Sequence, residues 1–567
     1  MNQKQENNWF FDAVMQRRRY YIQIILASVC VNIFALLSAF FIMVVYDRVI
    51  PNKAFETLTV LTIGMSIVIL FDFVMKTIRG SLTDLAGSEI DMEISEKLFD
   101  QVSRNEKFLE SRSTGDVAST IKNLDLLKEI MASASFIAFA DLPFTLLFLV
   151  ILYSIGGSMA AIPAVIVLTV IFVGLAIQPI IKRSSFRSQS EEQGKQSVLI
   201  EILTGVETLK SVRGLNFFKQ RWMDSVNRQS QIRKRIGFWN QLSANFAQIS
   251  QQASQVGVVV YGVVLIHQSN LTMGSLIACV ILSGRTLAPL GLISNLLGKV
   301  SHAFVAYRNL SELFREEPSE KSRANAVRHE TISGNIVLKD VVMNYQSSQR
   351  PSLQIDNLII QQGEKVAILG KIGSGKTTLL KLLSNLHTQT HGSIKIGGSE
   401  LSHLHPDDIR RHIGVVLQSP LIFSGTLKDN LLLGNPDSSD EKMIEFGKLT
   451  GVDGIASGLP KGYDTLLTER GLTLSGGQRQ MICIARAMIS DPPLFMMDEP
   501  TSAMDTQTEN TLLGKLKPWL SDRTLIVATH RGSLLKIVDR VIVMENGKII
   551  ADGPRDKIIK NVSRESN

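Results

Sequence analysis

Cysteine is scarce in this chain, and this excludes the protein classes that depend on it. The 567 residues contain only Cys30, Cys279 and Cys483. The first two lie in apolar runs and the third in a helix-like segment, so neither a disulfide framework nor a metal cluster is predicted. A cleavable signal peptide is not expected either, because the first apolar run is too long and has no clear small-residue cleavage site.

Charge is missing from several long stretches, although charged residues make up 20% of the chain. The stretches with at most one charged residue are 20–46, 57–75, 142–181 and 236–284. A helix needs about 20 apolar residues to cross a bilayer core. The third stretch is broken by glycines near residue 156 and the fourth by polar residues 267–272. We therefore predict a transmembrane domain with six spans over residues 20–314.

Ten basic residues flank these spans at ends that fall on one side, whereas the turns near residues 156 and 270 carry none. The ten residues are Arg17, Arg18, Arg19, Lys76, Arg79, Lys182, Arg183, Arg187, Arg285 and Lys299. The positive-inside rule then places both termini in the cytoplasm. A net charge of +8 can indicate nucleic-acid binding, but these basic flanks explain the charge equally well. Residues 80–132 and 182–245 are too polar for a membrane and too long for plain loops, so we expect the spans to continue as cytoplasmic helices.

Two further segments border the spans. In residues 1–19, Trp9, Phe10 and Phe11 precede three arginines, a pattern that suits a short helix at the membrane surface; a disordered tail is the alternative. Residues 315–332 are charged and have no long apolar run, so we predict a linker there. Residues 333–567 then form a nucleotide-binding domain.

The nucleotide-binding domain contains the sequence GKIGSGKT at residues 370–377, which fits the P-loop pattern. An apolar run typical of a buried strand precedes it and a helix-like run follows it. Glycines let backbone amides approach phosphate closely. Lys376 is placed to reach the β- and γ-phosphates and Thr377 to ligate Mg²⁺. The predicted ATP-binding residues here are Gly370, Gly373, Ser374, Gly375, Lys376, Thr377 and Thr378.

An acidic pair follows a second apolar strand. Residues 494–497 read LFMM and are followed by Asp498 and Glu499. An acid at the end of a strand beside a P-loop is a second anchor for Mg²⁺, so we assign this role to Asp498. Glu499 is then placed to polarise the attacking water as general base.

A second anion site is predicted at residues 474–478, which read LSGGQ and precede an apolar helix. This pentapeptide resembles the signature of the ATP-binding-cassette family. The resemblance implies that Ser475, Gly476, Gly477 and Gln478 bind nucleotide. It also implies an α-helical exporter-type membrane domain of six transmembrane helices fused to an α/β P-loop ATPase domain with a helical signature-motif subdomain.

Four other positions match the family's pattern in order. Tyr345 matches the aromatic residue that stacks on adenine, and Asp505 lies in the loop after the second acid. Gln418 matches the glutamine that links the nucleotide site to the membrane helices, and His530 the histidine that contacts the γ-phosphate. The catalytic residues implied are Lys376, Gln418, Glu499 and His530. The implied Mg²⁺ ligands are Thr377, Gln418 and Asp498.

The family binds ATP between two nucleotide domains, each P-loop facing the other domain's signature. This chain has one copy of each motif and one set of spans. The resemblance therefore implies a homodimer with two composite sites. Glu499 is retained in both, so neither site is expected to be degenerate.

Three further segments are similar to type I secretion transporters, and most to those that export large repeat-containing adhesins and toxins. They are residues 46–51 (YDRVIP), 141–144 (DLPF) and 501–505 (TSAMD). The resemblance implies the inner membrane of a Gram-negative bacterium, an unfolded polypeptide substrate, a periplasmic membrane-fusion adaptor and an outer-membrane channel. Many relatives carry an N-terminal cysteine-peptidase-like domain. Only about 19 residues precede the first span here, so leader cleavage by this chain is not expected.

Two other functions are alternatives to polypeptide export. An exporter of lipid or small hydrophobic compounds would need an apolar path with basic residues for head groups, whereas a polypeptide path should be polar and weakly charged. A cassette ATPase acting on nucleic acid would need long soluble heptad repeats. This chain has membrane-length apolar runs instead, so we expect membrane lipid and no nucleic acid as a partner.

One polar stripe belongs to no motif. Gln241, Asn245, Gln248, Gln252 and Gln255 recur at helical steps and enter the fifth span. Amide side chains are costly in lipid, so this face should point to protein or water. Interhelical hydrogen bonding is one interpretation. The other is that the stripe lines the translocation path of the homodimer.

Overall fold

The computed structural model describes residues 9–104, 114–131, 134–315, 328–345 and 350–565. The chain divides into two compact units, Met1–Pro318 and Ser319–Asn567. Most of the predicted linker, and the first eight residues of the N-terminal segment, lie outside the described residues.

The first unit is built from long helices. They are α1 (Trp9–Gln16), α2 (Arg18–Val44), α3 (Phe55–Arg104), α4 (Thr114–Met131), α5 (Ala134–Gly156), α6 (Ala161–Thr204), α7 (Leu215–His267) and α8 (Met273–Arg315). Shorter helical pieces are Val45–Val49, Ile50–Asn52, Gly157–Ala160 and Val206–Ser211. As predicted, α3, α6 and α7 continue as helices well beyond their apolar parts.

Five segments of the described chain are long and apolar enough to cross a membrane. One of them, Phe136–Thr204, contains the turn Gly157–Ala160 and so comprises both α5 and α6. The long apolar helices α2, α3, α5, α6, α7 and α8 therefore correspond to the predicted spans. The most apolar window of α3 has 0% of its residues buried, as expected for a helix face that meets lipid.

The N-terminal helix α1 forms and packs on α8. Trp9 stacks on Phe314 with 4.4 Å between ring centroids, and its indole N–H donates to Ser311 Oγ at 3.3 Å. Trp9 and Phe10 are buried. These aromatic side chains pack on helix α8, because residues 307–314 supply an aromatic face that the local sequence of α1 does not reveal.

The segment after the first span, residues 47–52, is helical. The π-helix Val45–Val49 places Asp47 against the start of α8. Asp47 accepts hydrogen bonds from the Gly274 backbone N–H at 2.8 Å and from Thr272 Oγ1 at 2.6 Å. The turn follows at Lys53, which has a left-handed backbone with φ 50°.

The second unit holds an antiparallel sheet, a mixed sheet and a two-stranded ribbon. Its strands are β1 (Ile336–Met343), β2 (Leu353–Ile360), β3 (Lys365–Leu369), β4 (His391–Ile396), β5 (Ser399–Glu400), β6 (Ile413–Val416), β7 (Gly425–Thr426), β8 (Leu466–Leu467), β9 (Leu494–Asp498), β10 (Thr524–Ala528), β11 (Arg540–Glu545) and β12 (Lys548–Pro554). Its helices are α9 (Lys376–Leu383), α10 (Pro406–His412), α11 (Leu427–Leu432), α12 (Asp440–Thr450), α13 (Val452–Ser457), α14 (Gly476–Met488), α15 (Thr506–Trp519) and α16 (Arg555–Glu565).

The mixed sheet positions the site. Its strand order is β12-β11-β3-β10-β9-β6, with all neighbours parallel except the β11–β12 pair. The carboxyl ends of β3, β10, β9 and β6 therefore share one edge, where ligands bind in open α/β sheets. One face of this sheet packs on α9 and the antiparallel sheet, and the other packs on α12, α14 and α15.

Candidate nucleotide site

The P-loop is held between a buried strand and a helix start. Strand β3 lies between β10 and β11, and its central residues are buried. Gly373 and Gly375 have left-handed backbones with φ 82° and 99°. A Cβ atom at Gly375 would lie 3.0 Å from the Ser352 carbonyl oxygen. Only glycine suits this position, and the close approach leaves a cradle of backbone amides that fits phosphate.

The Lys376 ammonium lies inside this loop. Its Nζ donates to the carbonyl oxygens of Gly370 at 2.7 Å and Lys371 at 3.1 Å. Burial lowers the pKa of Lys376, and the carboxylates of Glu499 and Asp498 act in the opposite direction. A cation is thus held in place where phosphate oxygens would enter.

The two residues predicted to hold Mg²⁺ from the P-loop and from β9 are in contact. Thr377 Oγ1 donates to Asp498 Oδ2 at 2.7 Å. Burial raises the pKa of Asp498, which the Thr377 hydrogen bond and nearby Lys376 partly counteract. A hydroxyl beside a buried carboxylate is an oxygen donor set that fits Mg²⁺. No group of three or more His, Cys, Asp or Glu that could hold a metal ion occurs among the described residues; the other ligands would be the predicted Gln418, water and phosphate oxygens.

Glu499 has an unpartnered carboxylate oxygen. Its backbone is left-handed, with φ 48°, and its N–H donates to the Ala528 carbonyl at 2.9 Å. Its Oε1 is buried and has no hydrogen-bond partner, while His530 Nε2 lies 3.5 Å away. A buried acceptor in a strained backbone position is an uncommon arrangement. It leaves one oxygen able to accept a proton from water.

Tyr345 closes the other side of the P-loop. Its hydroxyl lies 3.3 Å from Thr378 Oγ1, and its ring packs edge-on against His387. A cleft of about 460 Å³ lies between Tyr345 and the loop. Five residues that were not predicted from the sequence also line it, which are Arg350, Pro351, Ser352, Asn546 and Gly547. The Asn-Gly pair signals a hairpin turn, but nothing local places that turn beside the P-loop.

Gln418 is the one predicted catalytic residue that the structure leaves apart. It follows strand β6 at the shared sheet edge and its side chain is exposed. Within the described residues it has no hydrogen bond to Thr377 or Asp498. Its assignment as a Mg²⁺ ligand therefore stays a prediction.

The signature residues form a capped helix start. Ser475 Oγ accepts from the Gln478 N–H at 3.2 Å, and Gln478 Oε1 accepts from the Ser475 N–H at 2.8 Å. A Cβ at Gly476 would lie 2.9 Å from Ala503 Cβ, so glycine is needed for this packing. None of residues 475–478 lines the P-loop cleft of the same chain.

The loop after the second acid is held by the predicted residue Asp505 and by Gln480, which was not predicted. Asp505 caps helix α15. Its carboxylate accepts hydrogen bonds from the Thr508 N–H at 2.9 Å and from Thr508 Oγ1 at 2.6 Å. The hydrogen bonds to Thr508 lower the pKa of Asp505. Gln480 is buried, donates to Ser502 Oγ at 2.8 Å and accepts from the Ala503 N–H at 3.0 Å.

Arg531 connects the same loop to the segment after β10 that carries His530. It donates to the Ser502 carbonyl at 2.9 Å and to Glu509 Oε2 at 3.1 Å. Both Gln480 and Arg531 adjoin recognised motifs, and that proximity was the only available signal. Together their hydrogen bonds connect the signature helix, the loop and the segment that carries His530.

One chain combines a P-loop ATPase unit with a bundle of long apolar helices. This combination defines the class of membrane-bound ATPases that drive transport. Two family models agree with this class. The ABC transporter model matches residues 353–502, and the ABC transporter transmembrane region model matches residues 21–290.

Individual proteins resemble the chain over nearly its whole length. The alpha-hemolysin translocation ATP-binding protein HlyB of Escherichia coli is 30% identical over 556 residues, covering 97% of this chain and 78% of HlyB. The toxin RTX-III translocation ATP-binding protein of Actinobacillus pleuropneumoniae is 29% identical, covering 98% and 78%. A bacterial Atm1-family ABC exporter with ATP bound has the same fold, with a TM-score of 0.85, 20% identity and coverage of 96% and 97%.

The chain belongs to the ABC transporter family and is a half-transporter of the exporter type. It is a multi-pass membrane protein that binds ATP and couples its hydrolysis to transport. The predicted fold class and ATPase activity are confirmed. A half-transporter implies a dimer, whereas the roles of single site residues stay predictions.

Proposed function

We propose that the chain forms a homodimer in the inner membrane of a Gram-negative bacterium and exports an unfolded polypeptide, such as a large repeat adhesin or toxin. The observation that carries this proposal is the likeness, over 97–98% of the chain, to proteins named as toxin translocators. A periplasmic adaptor and an outer-membrane channel would complete the route.

In this proposal the chain's own residues prepare ATP for attack. Lys376 holds the β- and γ-phosphates, and Thr377 with Asp498 holds Mg²⁺, which supplies charge neutralisation when bound. Glu499 takes the proton from the attacking water. The partner subunit contributes its signature helix start to the same phosphates. Hydrolysis then removes charge that both surfaces had bound and lets the dimer open.

The amide stripe on α7 supports a polypeptide path. Gln241, Asn245, Gln248 and Gln252 are exposed. The opposite face does the packing in the protomer, since Ser254 and Ser283 hydroxyl oxygens lie 2.8 Å apart. Exposed amides both donate and accept hydrogen bonds. They therefore suit a passing backbone of any sequence and bind no segment tightly.

Changing Gln248 and Gln252 together to leucine is expected to reduce secretion several-fold while basal ATP hydrolysis persists. The reason is that the path loses backbone partners while the catalytic unit is untouched. Secretion of the native substrate and ATPase activity of purified protein are to be measured together.

The matched control changes Ile249 and Val256 to leucine, since both are exposed on the neighbouring face of α7. The control should secrete normally. Full secretion by the glutamine double variant contradicts the path, and loss of folded dimer favours the packing interpretation.

A further inference from the structure

A cavity of about 370 Å³ lies among helices α2, α3, α5 and α8 of the membrane unit. Its lining combines apolar side chains with five charged ones. Charged groups within apolar helices are costly unless paired, and they commonly mark a functional site. The nucleotide site uses none of these residues.

One end of the cavity is a built polar cluster. Arg79 Nη1 lies 3.2 Å from Asp141 Oδ1 and donates to Ser28 Oγ at 3.0 Å. Asn32 Nδ2 donates to the same carboxylate oxygen at 3.0 Å. The Arg79 side chain is 11% exposed, and its Nε is buried without a hydrogen-bond partner. The cluster fixes the guanidinium firmly and still leaves a buried donor unused.

The charges around the cavity do not balance. Lys76 pairs with Asp72 at 2.6 Å, and Arg79 pairs with Asp141. Arg285 also lines the cavity, is exposed and has no ion-pair partner among the described residues. The charge of Arg285 therefore remains unpaired in the same cavity that Arg79 lines. An anion is the ligand that would balance this charge.

The residues around the charged end of the cavity favour an amphiphilic anion as the ligand. The cavity wall includes Met65, Val68 and Ile69 of α3, and this helix has the fully unburied apolar window described above. The charged end lies where the apolar stretch of α3 meets its basic flank, the level at which phospholipid head groups lie. Acyl chains could run along α3 while a phosphate reaches the cations.

We propose that this cavity binds the phosphate of an anionic phospholipid through Arg285 and Arg79, with the acyl chains against α3. The bound lipid would tie α3 to α8. This site is separate from the exported substrate and does not rest on polypeptide export.

The test titrates purified full-length dimer in detergent with phosphatidylglycerol or phosphatidylcholine and counts bound lipids by native mass spectrometry. Arg285→Gln keeps the Arg79–Asp141 pair and should weaken phosphatidylglycerol binding about tenfold, the usual scale for a charged hydrogen bond. Asp72→Asn removes a competing carboxylate and should strengthen that binding. Unchanged thermal unfolding will show that both variants fold.

The charge-matched control is Arg183→Gln, because Arg183 is an exposed basic residue of α6 outside the cavity lining. It should bind phosphatidylglycerol as the wild type does. The proposal is overturned by equal loss in Arg183→Gln, by no loss in Arg285→Gln, or by equal binding of phosphatidylcholine. Displacement of the lipid by millimolar inorganic phosphate would also overturn it, because a free anion would then be the ligand.

Discussion

Glu499→Gln will give a dimer that binds ATP but hydrolyses it about 10²–10⁴-fold more slowly, the usual worth of general-base assistance. The carboxylate has a buried oxygen with no hydrogen-bond partner, and glutamine places an amide there that cannot take a proton. The substitution is nearly isosteric and leaves the Glu499 N–H to Ala528 bond in place. The P-loop contacts of Lys376 are also unchanged. The variant should therefore accumulate as an ATP-closed dimer.

Phosphate release and nucleotide retention by the purified variant are the measurements. Glu445→Gln is the matched control, because Glu445 is exposed on helix α12 and away from the cleft. The control should turn over normally. Near-normal turnover by Glu499→Gln would remove Glu499 from the general-base role.

Lys376→Ala and Ser475→Arg should each abolish transport, for different reasons. Losing the ammonium held by Gly370 and Lys371 should weaken ATP binding about 10–100-fold, the scale of charged hydrogen bonds. Arginine at residue 475 should obstruct the phosphate bound by the partner subunit. A heterodimer of the two variants regains one site with an intact P-loop and an intact signature, so partial ATPase activity should return.

Heterodimers carrying two different tags are to be purified in two steps and compared with each homodimer. Ser475→Thr is the control, since threonine keeps the hydroxyl that caps α14, a cap worth about 1 kcal/mol. If proven heterodimers stay inactive while this control is active, the facing arrangement with one sufficient site is wrong.

The parts of the fold that local patterns specify were predictable. The run at residues 365–369, the glycine loop and helix α9 follow one another without a break, so the sequence predicts the strand, the loop and the helix. The apolar helices and their polar extensions were equally readable, because a helix in lipid must be apolar for about 20 residues. The Thr377–Asp498 contact followed from both residues belonging to a known site geometry.

Contacts between distant segments were not predictable. Asp141 was noted only as part of a resemblance, yet it pairs with Arg79, 62 residues away along the chain. Trp9 stacks on Phe314 near the end of α8, a contact that the sequence of α1 does not indicate. Such pairs produce no periodic pattern in the sequence, and the burial that stabilises them depends on how the helices pack. The contacts of Gln480 and Arg531 were not predicted for the same reason.

The most direct measurement compares the proteins secreted by native cells that carry the wild-type chain, no chain, or Glu499→Gln. The account predicts that one or a few large polypeptides disappear from the medium in both altered strains and return with the wild-type chain. An unchanged set of secreted proteins, with altered lipid or small hydrophobic compounds in the envelope or medium, would contradict polypeptide export.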